Sequence, residues 1–232
     1  MIVASTHSYG EGAIYVDVHG DDEDTVWRAT HRLAERVRNL PDVLNVVPTY
    51  STAFIEFDLA RTDRQSVQSS VDALISDDAD HMLDALESRR FKIPVVYGGD
   101  RGEDLPALSR TLGMSEQDIA MAHSRRPLRI RCLAGPVGGP MMAGPDLQQP
   151  VPRQKSPRAF VKSGAVLLAG RQSFLKTMAG PGGWQIIGHT PLKLIDLTAD
   201  PLVPWVPGDE IQFIPIEESE WTAWEGARPH AD

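Results

Sequence analysis

The sequence predicts an α+β protein in two parts: a two-layer α/β sandwich, then a β-rich half that closes as a barrel or sandwich. Three observations predict it. Strand-like and helix-like stretches alternate over roughly the first hundred residues in the order βαββα, then β. The 18 prolines and 19 glycines crowd into the second half, which marks many turns there. The stretch from Arg158 to Pro191 reads as strand, loop, glycine turn, strand.

In chain order, Ala13 to Val18 has the β-branched enrichment of a strand. Asp21 to Asp24 is an acidic cluster placed to cap and charge the start of a helix. From Thr25 to Leu40, Val26, Ala29, Leu33 and Val37 recur at helical spacing, so one face packs. Pro41-Asp42 is a stop. Val43 to Val47 and Ala53 to Phe57 are strands around the turn Pro48-Thr49-Tyr50-Ser51. A second helix covers Gln65 to Leu74, and another begins near Asp78 with Met82, Leu83 and Leu86. Phe91 to Tyr97 is a strand in which Pro94 argues for an edge position. This order suits a ferredoxin-like domain over residues 1–98, helices on one face of an antiparallel sheet. His7, His31 and His81 are scattered, with no pair at metal-ligand spacing. They read as surface or packing histidines, and no metal site is expected.

Residues 99–127 read as a helical connector. Tyr97-Gly98-Gly99-Asp100 breaks the strand pattern and Leu105 to Leu112 is a helix. Ser115 and Asp118 form a capping box for a second helix, which carries Ile119 and Met121 and ends near His123. The β-rich domain spans 128–216. Arg129 to Leu133 is a strand. Gly135 to Gly144 is a glycine and proline loop with two methionines; no GK[ST] follows it and no helix opens after it, so it is not a phosphate loop. Pro150 to Pro157 is proline-rich and basic, with Arg153, Lys155 and then Arg158. That cluster suits bidentate contact with a carboxylate or phosphate, or a solvated loop pairing with surface acids.

Ala165 to Ala169 is a continuous apolar run, a buried strand. Gly180-Pro181-Gly182-Gly183 is a tight turn, since glycine tolerates positive φ. Trp184 follows, and Gln185 to Ile187 begins another strand. This is how a barrel presents a pocket at its rim, or it is a structural turn with a core tryptophan. Leu192 to Asp196 and Glu210 to Pro215 are further strands, separated by the Pro207-Gly208-Asp209 turn. The tail, 217–232, is polar and acidic with Trp221 and Trp224, either disordered or a docking arm.

Composition excludes several functions. Net charge is -9 with no basic stripe, which argues against nucleic acid and anionic membranes. No run of about 18 apolar residues exists to span a bilayer. The N-terminus MIVASTHSYG lacks the features of a secretory signal. Cys132 is the only cysteine, so no intrachain disulfide forms, and a reducing cytoplasm fits. No Ser-His-Asp or Cys-His constellation is readable, and no catalytic residue is assigned.

The second half resembles the KipI-like family, which is also named for the B-type subunit of prokaryotic 5-oxoprolinase and for allophanate hydrolase subunit 1. The resemblance rests on Pro181-Gly182-Gly183-Trp184, followed by Ile187-Gly188 and Thr190-Pro191. It extends through Arg129, Gly138, Pro140, Gly144, Asp146, Pro152-Arg153, Pro157-Arg158, Val161, Gly164, Ala169-Gly170, Gln172, Leu194 and Asp196. Pro207-Gly208-Asp209 with Phe213-Ile214-Pro215 is similar to the family's closing PGDxVxFxPI. Val46-Val47-Pro48, Phe57-Asp58, Tyr97-Gly98-Gly99 and the helix ending in His123 also match, so the resemblance covers about residues 9 to 215.

The resemblance implies a cyclophilin-like β-barrel for the C-terminal half. It implies a heteromeric complex with a KipA-like partner (the C-type subunit of 5-oxoprolinase, or allophanate hydrolase subunit 2) and, with it, a third, LamB-type subunit. The activity implied is ATP-dependent opening of a small amide or lactam, or carboxyl transfer from carboxybiotin. A non-catalytic module of the kinase-inhibitor kind is the alternative. The substrate-binding positions carried over are Gly138, Pro140, Arg153, Arg158, Gln172, Gly182, Gly183 and Trp184.

This chain departs from the family at the pocket loops. The family's GFxPGFPY stands here as Ala134-Gly135-Pro136-Val137-Gly138-Gly139-Pro140-Met141, two phenylalanines having become glycine. Its GGQTGIYP stands as Gly170-Arg171-Gln172-Ser173-Phe174-Leu175-Lys176-Thr177. VPAGS became Val161-Lys162-Ser163-Gly164-Ala165. With Arg171 and Lys176 added, either the ligand is more anionic or the chain does no chemistry alone.

Overall fold

The computed structural model describes residues 2–77 and 87–232. The chain divides into two compact units, residues 1–86 and 87–232. The helix expected near Asp78, with Met82, Leu83 and Leu86, lies outside the described residues, as does His81.

The first unit is a four-stranded antiparallel sheet with helices: β1 (Val3–Tyr9), β2 (Ala13–His19), α1 (Glu23–Val37), β3 (Val43–Pro48), β4 (Thr52–Phe57) and α2 (Arg64–Asp77). The strand order is β1-β2-β4-β3. Asp22 starts α1: its carboxylate accepts the Thr25 amide at 2.7 Å, and Glu23 and Asp24 complement the helix dipole. Val26, Ala29, Leu33 and Val37 form one buried stripe, joined to Ile14, Val16, Ile55 and Phe57 of the sheet. The ferredoxin-like expectation holds, with one strand added. β1 is an edge strand of mostly exposed, polar residues, so it lacks the apolar alternation that reveals a strand. His31 is buried and packs on Trp27, ring centres 4.3 Å apart, while His7 stacks on Tyr15.

The second unit contains β5 (Arg90–Tyr97), α3 (Leu105–Leu112), α4 (Glu116–Ser124), β6 (Leu128–Ala134), β7 (Gly139–Ala143), β8 (Arg158–Val161), β9 (Ala165–Ala169), β10 (Gln172–Leu175), β11 (Gly180–Gly182), β12 (Gln185–His189), β13 (Glu210–Pro215) and α5 (Trp221–Trp224). Seven strands close a barrel in the order β10-β7-β6-β13-β5-β12-β9, and β11 and β8 form a separate two-stranded ribbon.

Several boundaries differ from those expected. β5 belongs to the barrel rather than to the first unit, lying between β12 and parallel β13. It is no edge strand; it tolerates Pro94 because β12 pairs only with Val96 and Tyr97. The helices of 99–127 are part of the barrel unit's core, since Leu105, Leu108 and Ile119 are buried with Ile93, Ile130 and Phe213. Ser115 does cap α4, accepting the Asp118 amide at 3.0 Å.

Half of the loop expected from Gly135 to Gly144 is β7, in a hairpin with β6, and Met142 is fully buried in the barrel. Gly180 to Gly182 is extended as β11 and pairs with β8, so it is not a tight turn. Leu192 to Asp196 forms no strand. Leu192 and Leu194 are buried, but the Lys193 amide bonds the carbonyl of Ala227 in the tail instead of a sheet neighbour.

The tail is ordered against its own barrel unit. Arg101 pairs with Glu218 at 2.7 Å and stacks over Trp221, its guanidinium carbon 3.4 Å from the ring centre. Arg228 pairs with Asp196 at 3.0 Å, and Ala231 bridges to Phe91 of β5. No described helix is long and apolar enough to cross a membrane.

Candidate functional site

Successive side chains of a strand point to opposite faces, so the barrel wall has an inner and an outer surface. On β9, β10 and β12 the inner set is Val166, Leu168, Leu175 and Ile187, all in the main core. The outer set lies in register: Phe174 opposite Leu167, and Leu167 opposite Ile186. Leu167, Ile186, Ala165 and Val161 form a second, smaller cluster, with Phe174 and Trp184 packed against it. Val161 belongs to β8, so the ribbon covers this outer face. The candidate site is therefore placed along the seam where the ribbon lies on the barrel wall, called the cleft below.

Phe174 and Trp184 are half-buried and meet edge to face, centres 5.9 Å apart. Opposite Phe174 runs the connection between β6 and β7. A methyl group on Gly139 would lie 2.7 Å from Cε2 of Phe174, so the ring occupies space that only glycine leaves open. Gly135 faces the same ring. The two positions at which the resemblance leads one to expect phenylalanine are thus the two that Phe174 leans over. The cleft keeps an aromatic wall, supplied from β10 instead of from the loop. Gly138 turns the connection with φ +49°, and its carbonyl accepts the Trp205 indole N–H at 2.9 Å.

Beyond Phe174, on the same side of the strand by alternation, comes Lys176. Its backbone continues the ladder, the amide bonding Ala165 and the carbonyl Gly164. Lys176 is 9% exposed, and its ammonium donates one hydrogen bond, 3.2 Å long, to the Pro181 carbonyl in β11. Among the described residues no carboxylate pairs with it. Burial pulls the ammonium below the ordinary lysine range. Thr177 beside it donates to the Val137 carbonyl, which ties the loop to this end of β10.

The proline-rich segment is strapped along the cleft's other side. The Gln154 amide bonds the Gly183 carbonyl at 2.8 Å, and its side chain donates to Gln185 at 2.7 Å. Gln185 in turn donates to the Pro152 carbonyl at 2.7 Å. Arg153 is exposed at the rim, its guanidinium carbon 5.9 Å from the Trp184 ring centre.

Of the residues singled out from sequence, Arg153, Gly183 and Trp184 come together here, with Gly182 on the ribbon. Gln172 lies on the Phe174 side of β10, opposite Ala143 and Ala169. Pro140 is buried in β7 opposite Leu133 and contributes shape only. Arg158 is engaged within the chain: it donates to Asp104 at 2.6 Å and pairs with Glu103 at 3.3 Å. Asp104 also accepts the Ile186 amide at 2.7 Å, so this pair fastens β8 and the start of α3 to β12. Arg171 points to the Leu147 carbonyl at 3.2 Å, away from Lys176 by strand alternation.

A second polar group lies inside the barrel. The Tyr97 hydroxyl and His123 Nδ1 are 2.7 Å apart, and His123 Nε2 and the Ser173 hydroxyl are 2.7 Å apart. His123 and Ser173 are fully buried, and desolvation lowers the imidazole pKa to about 3, so the ring is neutral. With no carboxylate to orient the ring and no exposure of the serine, the trio joins α4 to two strands and presents no nucleophile. His123 and Tyr97 carried a signal in sequence through the matched segments; that they meet, and that Ser173 joins them, did not show.

Among the described residues no cluster of three or more histidine, cysteine or acidic side chains is placed to hold a metal. The Gly135–Gly139 connection closes a hairpin and opens no helix, so it does not fit a nucleotide triphosphate. A small, flat, anionic molecule matches the cleft's aromatic edges and lysine.

The description "Carboxyltransferase domain, subdomain C and D" matches residues 4–205. The B-type subunit of 5-oxoprolinase from Escherichia coli O157:H7 is 30% identical, over 93% of this chain and 97% of its own length. The protein of the same name from Bacillus subtilis (strain 168) is 25% identical, over 93% and 94%. In three dimensions, the K. lactis urea amidolyase overlays 99% of this chain with a TM-score of 0.75. That chain is 16% identical and far larger, and this one spans 16% of it.

Proposed function

This chain belongs to the family of the carboxyltransferase domain, subdomains C and D, and from that premise we propose that it is the B-type subunit of a complex that opens a small cyclic amide of the 5-oxoproline kind. The observation that carries the reading is similarity to a 5-oxoprolinase subunit of that type along nearly the whole of both chains. The cleft supports it. Phe174 and Trp184 offer edges and faces to a flat ring, and Lys176 and Arg153 offer positive charge beside it.

In this reading the chain binds and orients the lactam. The amide oxygen gains negative charge as the ring is attacked, and fixed donors favour that change. The ATP-dependent step falls to the KipA-like and LamB-type partners, since the glycine connection of this chain does not suit a triphosphate. The lone buried thiol of Cys132 suits a cytoplasmic setting. Carboxyl transfer from carboxybiotin would use the same cation; it draws on the name of the family and on a likeness of fold, while the near full-length relatives are named for 5-oxoprolinase. The regulatory alternative, with the barrel as an interaction platform, loses the slight support of a free tail, since the tail packs on its own unit.

Co-expression with a KipA-like and a LamB-type subunit tests the proposal. Co-elution and ATP hydrolysis that rises on adding 5-oxoproline are the expected results. A stable complex whose ATP hydrolysis ignores 5-oxoproline would overturn it.

A further inference from the structure

We propose that Lys176 is a specificity-determining residue that reads the carboxylate of a small monoanionic ligand in the cleft between the barrel wall and the β8·β11 ribbon. The inference deepens the proposed function by naming the group of the substrate that is recognised, and it can fail independently of that reading.

Three observations converge on it. First, Lys176 is nine-tenths buried, yet among the described residues it has no acidic partner. Lysine is almost never buried without one, because its ammonium is strongly hydrated in water. Second, its hydrogen bonding is incomplete. An ammonium carries three donors, and only the Pro181 carbonyl, at the long end of the normal range, accepts from it. The other two N–H groups have no acceptor among the described residues. A carboxylate would supply the missing acceptors and the missing charge together. Third, the rest of the cleft defines what carries that carboxylate. Phe174 and Trp184 set an aromatic corner on the same outer face, and the Gly139 contact holds Phe174 in place. The body of the ligand is therefore flat and largely apolar.

The charge count favours a monoanion over a larger anion. The other cations singled out near the cleft are committed or peripheral: Arg158 to Asp104 and Glu103, Arg171 to a carbonyl, and Arg153 exposed at the rim. One ammonium on a largely buried stem balances one negative charge. A di- or triphosphate would leave charge uncompensated in a partly desolvated site. Desolvation of the amine acts in the same direction, making an anion's arrival favourable.

Calorimetric titration of the full chain with three ring compounds tests this: 5-oxoproline (lactam and carboxylate), 2-pyrrolidone (lactam only) and cyclopentanecarboxylate (carboxylate only). Wild-type protein is expected to bind both carboxylates, and 2-pyrrolidone about tenfold more weakly than 5-oxoproline, or worse. Lys176→Met and Lys176→Gln are expected to lose about tenfold or more in affinity for both carboxylates, with 2-pyrrolidone unchanged. Both variants keep the buried stem and remove an amine that partial desolvation disfavours, so their melting temperatures should stay close to that of the wild type or exceed it. The inference is overturned if either folded variant binds carboxylates as tightly as wild type. It is also overturned if 2-pyrrolidone matches 5-oxoproline, or if no carboxylate binds at about 10 mM. Lys176-dependent binding of cyclopentanecarboxylate as tight as that of 5-oxoproline would leave the carboxylate site standing and remove the lactam reading.

Discussion

Inside the barrel unit a single imidazole joins two hydroxyls from different strands, Tyr97 of β5 and Ser173 of β10. Each ring nitrogen has one partner, so the neutral ring is satisfied with one N–H and one lone pair. Protonation would add a donor and a charge where no acid answers it, which is why the folded pKa falls to about 3. The consequence for stability has a definite sign. The unfolded value is near 6.5, so at higher pH both states are neutral and nothing is lost. Between about pH 6.5 and pH 3 the unfolded chain takes up a proton that the folded one refuses. Stability then falls by about 1.4 kcal/mol per pH unit, to a total of about 5 kcal/mol. In urea titrations the wild type should lose about 2 kcal/mol more than His123→Gln between pH 7 and pH 5. Equal pH dependence of the two proteins would show that His123 takes up its proton as readily in the fold as in the unfolded chain.

The aromatic wall is a property of two elements rather than of one residue. The β6–β7 connection gives up side chains at Gly135 and Gly139, and β10 fills the space with Phe174. Each change makes sense only with the other. Gly139→Ala should cost about 1–3 kcal/mol through the clash with the ring. Phe174→Ala should cost about 2–3 kcal/mol through lost packing. The double variant should cost less than the sum by about 1 kcal/mol or more, since the clash vanishes with the ring. Strict additivity across the four proteins in thermal or urea unfolding would separate the two elements energetically.

What sequence could and could not reveal follows the same division between local and distant causes. Helix α1 was legible because its cap at Asp22 and its apolar stripe lie within one segment. The Ser115 cap was legible for the same reason. β10 was not, because Gln172-Ser173-Phe174-Leu175 reads as polar loop until β7 and β9 flank it. The glycine run 180–182 is not legible as a strand, because composition alone does not separate an extended glycine from a turning one, and its pairing with β8 holds it straight.

At the scale of the whole molecule, the division into units is where sequence order misleads most. β5 follows the first unit's helices in the chain, yet its register is set by β13, far along the sequence. The tail follows the last barrel strand and returns to Arg101, Asp196 and Phe91, so polarity did not make it free. The candidate site divides likewise. Arg153, Gly183 and Trp184 were marked by motif. The solitude of Lys176 was not, because the absence of a nearby acid is a fact of three-dimensional packing. If this chain supplies the ring-binding cleft of a lactam-opening complex, its aromatic corner must matter to turnover. Release of glutamate from 5-oxoproline by the reconstituted complex, with wild-type chain and with Trp184→Leu, reads this out. Glutamate is expected with the wild type, and kcat/KM about tenfold lower or worse for a variant that still co-elutes with its partners. Glutamate release by Trp184→Leu at the wild-type rate, or none from the assembled wild-type complex, would refute the assignment of the cleft.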